Sequence, residues 1–170
     1  MAERERAAVV RSAALLRSAG HACPVVSVGS TPTATFARSL EGVTEVRAGV
    51  FVFHDLVMAG LGVCGVEDIA VSVLATVIGH QREKGWIVTD GGWMALSRDR
   101  GTAKQAVDQG YGLVCDEAGR AIGDLVVSDA NQEHGIVSQP LPVGSRVRIV
   151  PNHSCLTVAQ FDEYAVVRGE

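Results

Sequence analysis

IAVSVLATVIGH (69–80), GWIVTD (85–90), YGLVC (111–115), AIGDLVVSD (121–129), GIVS (135–138), SRVRIVP (145–151) and YAVVRG (164–169) are short runs rich in β-branched residues, separated by Gly, Asp, Asn or Pro. Alternating apolar and polar residues are the signature of a strand with one buried face, and the residues between the runs are turn formers. The series predicts an antiparallel β domain, a barrel or a sandwich, from about residue 68 to the end of the sequence at Glu170. No repeat with a period of roughly 20 to 50 residues interrupts it.

Upstream the pattern changes. Ala8, Val9, Ala13, Leu15 and Leu16 fall near helical spacing between Ala2 and Ala19, and Gly20 supplies a stop. CPVVSVG (23–29) is a short apolar strand, STPTATFARSL (30–40) restarts with hydroxyl residues before a helix, and TEVRAGVFVFHD (44–55) is a second strand broken at Gly49. Helix, strand, helix and strand in that order read as βα units of a parallel layer. The fold class expected is therefore α+β, the end of a parallel α/β (TIM-type) barrel over residues 1–60 followed by the antiparallel domain over 68–170. The boundary is placed between Leu56 and Asp68, where Gly60, Gly62 and Gly65 cluster, and the first piece is expected to expose apolar surface.

Bulk properties narrow the function. A net charge of -4 with no Lys/Arg cluster gives no electrostatic footprint for nucleic acid. The N-terminus MAERERAAVVRSAALLRSAG is charged along its length, so it reads as an amphipathic helix, neither signal peptide nor membrane span, and a cytoplasmic location is expected. Cys23, Cys64, Cys115 and Cys155 lie 41, 51 and 40 residues apart, which argues against a disulfide framework and against a cysteine-only zinc site.

Two segments carry chemistry. Gly29-Ser30-Thr31-Pro32-Thr33 follows an apolar strand and opens a helix, where backbone N–H groups, hydroxyls and the helix dipole favour an anion. The same pentapeptide is also readable as an ordinary strand-to-helix turn capped by Ser30 or Thr33. In Pro151-Asn152-His153-Ser154-Cys155, His153 and Cys155 are two apart and would share a face if the backbone is extended. Imidazole nitrogen and thiolate sulfur at roughly 2.0 and 2.3 Å suit zinc, although a buried Cys beside a hydrogen-bonded His is the plainer explanation of such a pair. Asn152-His153-Ser154 also spells a glycosylation acceptor, read here as accidental.

GSTPT (29–33), the E-x-R-x-G-x-F-x-F-x-D stretch (45–55) and PNHSCLTVAQFDEYAVVRG (151–169) together resemble pyridoxal-phosphate enzymes of the D-threonine aldolase/D-serine dehydratase type. The resemblance places Thr31, Gly49 and the backbone of Val50 at the phosphate of pyridoxal 5'-phosphate, with Gly29 and Ser30 beside them. It makes His153 and Cys155 ligands of a divalent metal, zinc by ligand preference. The family often has proline where Ala48 stands and tyrosine where Phe51 stands, a departure that removes a phenol. Asp90-Gly91-Gly92 with Ala95-Leu96-Ser97 is similar to the family's D-x-G-x-x-A-L-S stretch, and Glu133-His134-Gly135 to its E-H-G loop. Asp90, Glu133 and His134 are then expected to orient metal ligands or water, unless they merely serve turns.

The resemblance implies a lyase acting on a small D-β-hydroxy amino acid, homodimeric when intact, with aldol cleavage and dehydration both open. The lysine that binds the cofactor covalently lies near the start of the family's barrel, whereas Lys84 and Lys104, the only lysines here, sit in polar surface stretches. The chain is therefore expected to be an inactive C-terminal fragment, or half of a two-chain enzyme. The alternative is a noncatalytic β domain that binds metal or a partner through His153 and Cys155.

Overall fold

In the computed structural model, which describes residues 1–167, helix α1 spans Ala2–Ser18 and ends where the sequence requires, with Gly20 at φ 85° just past the C-cap Ala19. Strand β1 (Ser27–Gly29), helix α2 (Thr31–Phe36) and strand β2 (Glu45–Arg47) follow, with β1 and β2 parallel and Ser27 opposite Glu45. Two carboxylates from the first turn of α1 staple it to this βαβ unit. Glu3 accepts from the backbone N–H of Arg38 at 2.7 Å, and Glu5 accepts from Gly29 N–H at 3.1 Å and the Thr33 hydroxyl at 2.7 Å. Those two donors, Thr33 first, hold the Glu5 carboxyl below its ordinary value of 4.5.

The second strand is shorter than its sequence suggests. After Arg47 the chain leaves the ladder, because Phe51 N–H donates to the Thr31 hydroxyl at 3.1 Å and Val50–Val52 coil into a 3-10 turn. Leu15, Leu16, Val25, Phe36, Leu40, Phe51 and Val52 are exposed, the apolar surface expected of this piece.

The first compact unit ends at Val52 and the second starts at Phe53. The glycine-bearing stretch expected to hold the boundary therefore lies inside the second unit, for a physical reason. Asp55 caps α3 (Leu56–Gly60), and Leu56 packs with Leu113, Cys115 and Val150 on the outside of the β domain.

That domain is a closed barrel, settling the barrel-or-sandwich alternative. Strands β3 (Val73–Gln81), β4 (Trp86–Thr89), β5 (Gly112–Cys115), β6 (Ala121–Ala130), β7 (Gly135–Val137) and β8 (Arg146–Pro151) pair antiparallel in the order β3-β4-β7-β6-β5-β8. Alternate residues point inward: Ala75 and Val77, Leu125 and Val127, Val147 and Ile149 form one buried core with Ile87, Val114 and Val137. Each of the larger aliphatic side chains contributes about 1.5–3 kcal/mol by burial. Bulges in β3 and, twice, in β6 bend the sheet into closure. The run expected as a last strand, 164–169, is not one over Tyr164–Val167, because closure leaves no edge for it to pair with. Arg168 and Gly169 lie outside the described residues.

After β8 the chain is held at Asn152 and Ser154, on either side of His153. The Asn152 carbonyl accepts from Val57 N–H at 3.2 Å, and its side chain, 1% exposed, donates to Thr102 Oγ1 and Gly110 O, both at 2.7 Å, while accepting from Thr102 N–H. Ser154 N–H, at the start of α5 (Ser154–Val158), donates to Asp55 Oδ2 at 2.9 Å. Asp55 is fully buried, and its other oxygen accepts from Met58 N–H at 2.8 Å, so one carboxylate caps both helices.

Asp55→Ala is expected to lower unfolding stability by about 2–4 kcal/mol in urea titration, the loss of two charge-assisted caps; a change below about 1 kcal/mol would show that the double cap is dispensable. For Glu5, a depressed folded value means that its contribution is complete above pH 4.5 and lost as pH falls through the folded value. Amide-exchange protection of Gly29 should fall over that acid window, and in Glu5→Gln it should be low and flat across it.

Candidate functional site

In the first unit the phosphate-type residues divide into two roles. Ser30, at φ 127°, caps α2 by accepting from Thr33 N–H at 3.3 Å, and its hydroxyl bonds that of Thr33 at 3.1 Å. With Gly29 N–H and the Thr33 hydroxyl both committed to Glu5, Gly29 and Ser30 shape the loop and have no donor left for a ligand. The Arg47 guanidinium lies over Gly29, where a Cβ would stand 2.9 Å from Nη2 and displace that side chain. Thr31, Gly49 and Val50 are different. Among the described residues their backbone N–H groups have no acceptor, and the hydroxyl of buried Thr31 accepts from Phe51 N–H but donates to nothing. A Cβ built on Gly49 meets no atom within 4 Å, so its N–H is open to approach. The donor set of one hydroxyl and three amides fits a phosphate group.

In the second unit the metal-type pair is built differently from expectation. His153 is the N-cap of α5, with φ -136° and ψ 107°, and Cys155 is already in the helix, so no pleat aligns them. The cause is the Asp55 cap on Ser154, a contact 99 residues away in sequence. His153 Nδ1 lies 2.5 Å from Asp99 Oδ2, leaving Nε2 without a hydrogen bond among the described residues. Cys155 is exposed, whereas Cys64 and Cys115 are less suited to bind metal. Burial, then Asp68, Asp55 and Glu67, pushes the Cys64 thiol up, and burial, then Asp116, does the same to Cys115. Among the described residues no three His, Cys, Asp or Glu side chains gather as a ready metal cage. The Nε2 of His153 and the exposed thiol of Cys155 are donor atoms of the types zinc takes.

Asp90, Glu133 and His134 serve local structure. Asp90 Oδ1 accepts from Thr76 N–H at 2.6 Å, locking the end of β4 to β3. Glu133 and His134 N–H both donate to Asn131 Oδ1, forming the turn before β7. This turn holds the short helix α4 (Trp93–Leu96), whose Trp93 and Met94 N–H groups donate to Asn131 O and Gln132 O. A Cβ on Gly92 would collide with the backbone of Glu133 and His134, which explains the glycine at that position. The other end of α4 meets α5, where Thr157 Oγ1 donates to Leu96 O at 2.5 Å. The side chains of Glu133 and His134 have no hydrogen bond among the described residues.

Sequence reasoning missed Asp99, Asp55 and Asn152. Asp99 stands two residues beyond the Ala95-Leu96-Ser97 stretch that was singled out, Asp55 was read as the end of a strand, and Asn152 only as a glycosylation acceptor. Their roles depend on contacts 54, 99 and 50 residues away, which no local pattern displays.

Residues 70–167 match the family described as "Putative serine dehydratase domain", and the chain belongs to this family. It is 58% identical over its whole length to 48% of D-threo-3-hydroxyaspartate dehydratase from Delftia sp. strain HT23. It is 33% identical, over 91% of its length and 42% of the relative, to D-serine dehydratase of Dictyostelium discoideum. These relatives are lyases acting on D-amino acids. The chain spans about half the length of the curated relatives it matches. The solved Delftia dehydratase superposes with a TM-score of 0.86 at 60% identity, covering 94% of this chain and 45% of that one. A dehydratase of that name has also been solved with a histidine replaced by alanine and, in a metal-free form, with a cysteine replaced by alanine; the two positions are two residues apart. D-threonine aldolase from Filomicrobium marinum shares the fold, with a TM-score of 0.69 at 24% identity.

Proposed function

We propose that this chain serves a pyridoxal-phosphate- and metal-dependent lyase that removes water from a small D-β-hydroxy amino acid. The observation that carries the reading is the pair His153 and Cys155 at the start of α5, one held by Asp99 and the other exposed. Its spacing equals that of the histidine and cysteine replaced in the solved dehydratase, whose cysteine variant is a metal-free form. Identity of 58% to a dehydratase favours dehydration over aldol cleavage.

Pyridoxal phosphate, when bound, supplies an electron sink for bonds at the substrate's α-carbon. The residues suited to hold its phosphate are Thr31, through hydroxyl and N–H, with the N–H groups of Gly49 and Val50. Glu5, Gly29, Ser30 and Thr33 keep that loop in shape. His153 through Nε2 and Cys155 through Sγ are suited to hold zinc, which would supply positive charge that stabilises the negative charge developing on the β-hydroxyl oxygen as its bond to carbon breaks. Lys84, exposed and stacked 4.9 Å from the Trp86 ring, and Lys104, exposed, are read as surface residues. Covalent attachment of the cofactor is assigned to a lysine outside this chain.

Purified chain is expected to retain about one zinc per molecule by elemental analysis, and His153→Ala and Cys155→Ala to lose it, with Cys64→Ala unaffected. Full zinc content in Cys155→Ala would sink the metal reading. Incubated alone with pyridoxal phosphate and D-threo-3-hydroxyaspartate, the chain should release no 2-oxo acid; sustained turnover would show that one of its own lysines suffices.

A further inference from the structure

Among the described residues Asp99 is the acidic side chain bonded to His153, and its surroundings are arranged to keep it there. It stands in a short loop fixed at both ends. At one end Ser97, buried and at φ 93°, accepts from Asp99 N–H at 3.2 Å. At the other, Thr102 is fully buried and bonded in both directions to the Asn152 side chain. Because Asn152 immediately precedes His153, the residue that anchors the loop carrying the carboxylate also anchors the imidazole. Both groups belong to the second compact unit, and their separation is set by buried hydrogen bonds on each side.

The arginines flanking Asp99 are engaged elsewhere. Arg98 lies 4.2 Å from the Trp93 ring centre, and Arg100 pairs with Asp108 at 2.6 Å. Among the described residues the Asp99 carboxylate therefore makes no arginine pair, and its side-chain partner is His153 Nδ1. A neutral imidazole has one N–H and one lone pair; a carboxylate accepts hydrogen bonds and cannot supply one. A carboxylate at Nδ1 consequently fixes the proton there and leaves the lone pair at Nε2. That is the state in which a histidine can ligate through Nε2, with its ring plane held by the hydrogen bond.

We propose that Asp99 is a positioning residue for metal binding: it holds His153 as the Nδ1–H tautomer, with Nε2 presented as the donor atom. The proposal rests on the reading of His153 and Cys155 as metal ligands, and it adds a residue that touches neither metal nor substrate. Asp99 is the carboxylate bonded to His153, whereas Asp90 is bonded to the backbone of Thr76, and Glu133 and His134 are bonded through their backbone N–H groups to Asn131.

The test separates the two readings. In metal-free full chain, the nitrogen shifts of the His153 ring, read by long-range proton–nitrogen correlation above its titration, should report the Nδ1–H form. In Asp99→Ala they should move toward the Nε2–H form that free histidine prefers. Zinc affinity, measured by competition with a chromophoric chelator, should fall about 10- to 100-fold in Asp99→Ala. Asp108→Asn, which breaks the neighbouring Arg100 pair and loosens the same loop, should change neither the tautomer nor the affinity by more than about twofold. An Nε2–H tautomer in the parent chain, or equal zinc affinity in parent and Asp99→Ala, overturns the role of Asp99 while leaving the ligands in place. An equal loss in Asp108→Asn shows loop integrity and not the carboxylate to be what matters, and overturns it too. A parent chain that binds no zinc overturns the metal reading itself.

Discussion

A single carboxylate without solvent exposure, Asp55, is bonded to the backbone of two helices, α3 beside it in sequence and α5, whose first residue lies 99 positions further on. An unbonded charge in that position would be strongly disfavoured, so the native arrangement must supply N–H donors to it. It takes them from Met58 in α3 and Ser154 in α5, and both helices are too short to be stable by propensity alone. The consequence reaches the chemistry. With Ser154 fixed by Asp55 and Asn152 fixed by Val57, Thr102 and Gly110, the one residue between them, His153, has little backbone freedom left. The barrel needs β8 only as far as Pro151; beyond it, Asn152 and Ser154 are held by α3 and by the loop before β5.

The glycines around the Asp90 turn show a second constraint of the same kind. Gly92 lies against the backbone of the 131–135 turn so closely that any side chain would collide, and Gly135 lies equally close to Gly91 O and Thr89 Oγ1. This close approach lets the carbonyls of Asn131 and Gln132 accept from the first amides of α4, whose last carbonyl-bearing residue, Leu96, is bonded by Thr157. The two motifs meet as one packing device that sets the position of α4, and through it α5. The family membership fits this reading, because a sequence pattern can persist for the backbone geometry it allows as well as for its acids.

The barrel was legible because its information is local. Short β-branched runs and the turn formers between them mark the strands, while which face is buried had to come from the closed sheet, since Leu74 and Ile78 are exposed beside buried Ala75 and Val77. The end of α1 and the cap at Ser30 were readable for the same reason. Elements set by distant partners were not. The second strand stops at Arg47 because a threonine side chain 20 residues back takes the amide of Phe51. Asp55, at the end of an apolar stretch, looks like a strand terminus until Ser154 is known to stand beside it. The extended reading of 151–155 failed on that same contact, and the choice of His153 and Cys155 rested on the family resemblance of the surrounding segment. Tyr164–Val167 has the composition of a strand, and closure of the barrel leaves it none to join.

In this region the residues that hold the backbone and the residues with chemistry to offer are different, and burial separates them. Asp55, Asn152, Ser154 and Thr157 are at most 1% exposed, and their polar groups are satisfied by backbone or hydroxyl partners. The side chains of His153 and Asp99 are 35% and 28% exposed, and Cys155 is exposed. A buried, satisfied network resists displacement because breaking one bond strands a polar atom, whereas a part-exposed side chain can exchange its partner for water at small cost. The two sets therefore differ in what substitution does to them. Loss of a buried anchor lowers stability and moves the histidine as a side effect, while loss of Asp99 leaves the backbone where it is and alters only the ring's tautomer and orientation. Because Asn152 serves both the histidine's neighbour and the loop carrying Asp99, the two imidazole-positioning contacts are not independent, and replacing Asn152 together with Asp99 should cost less than the sum of the two single losses.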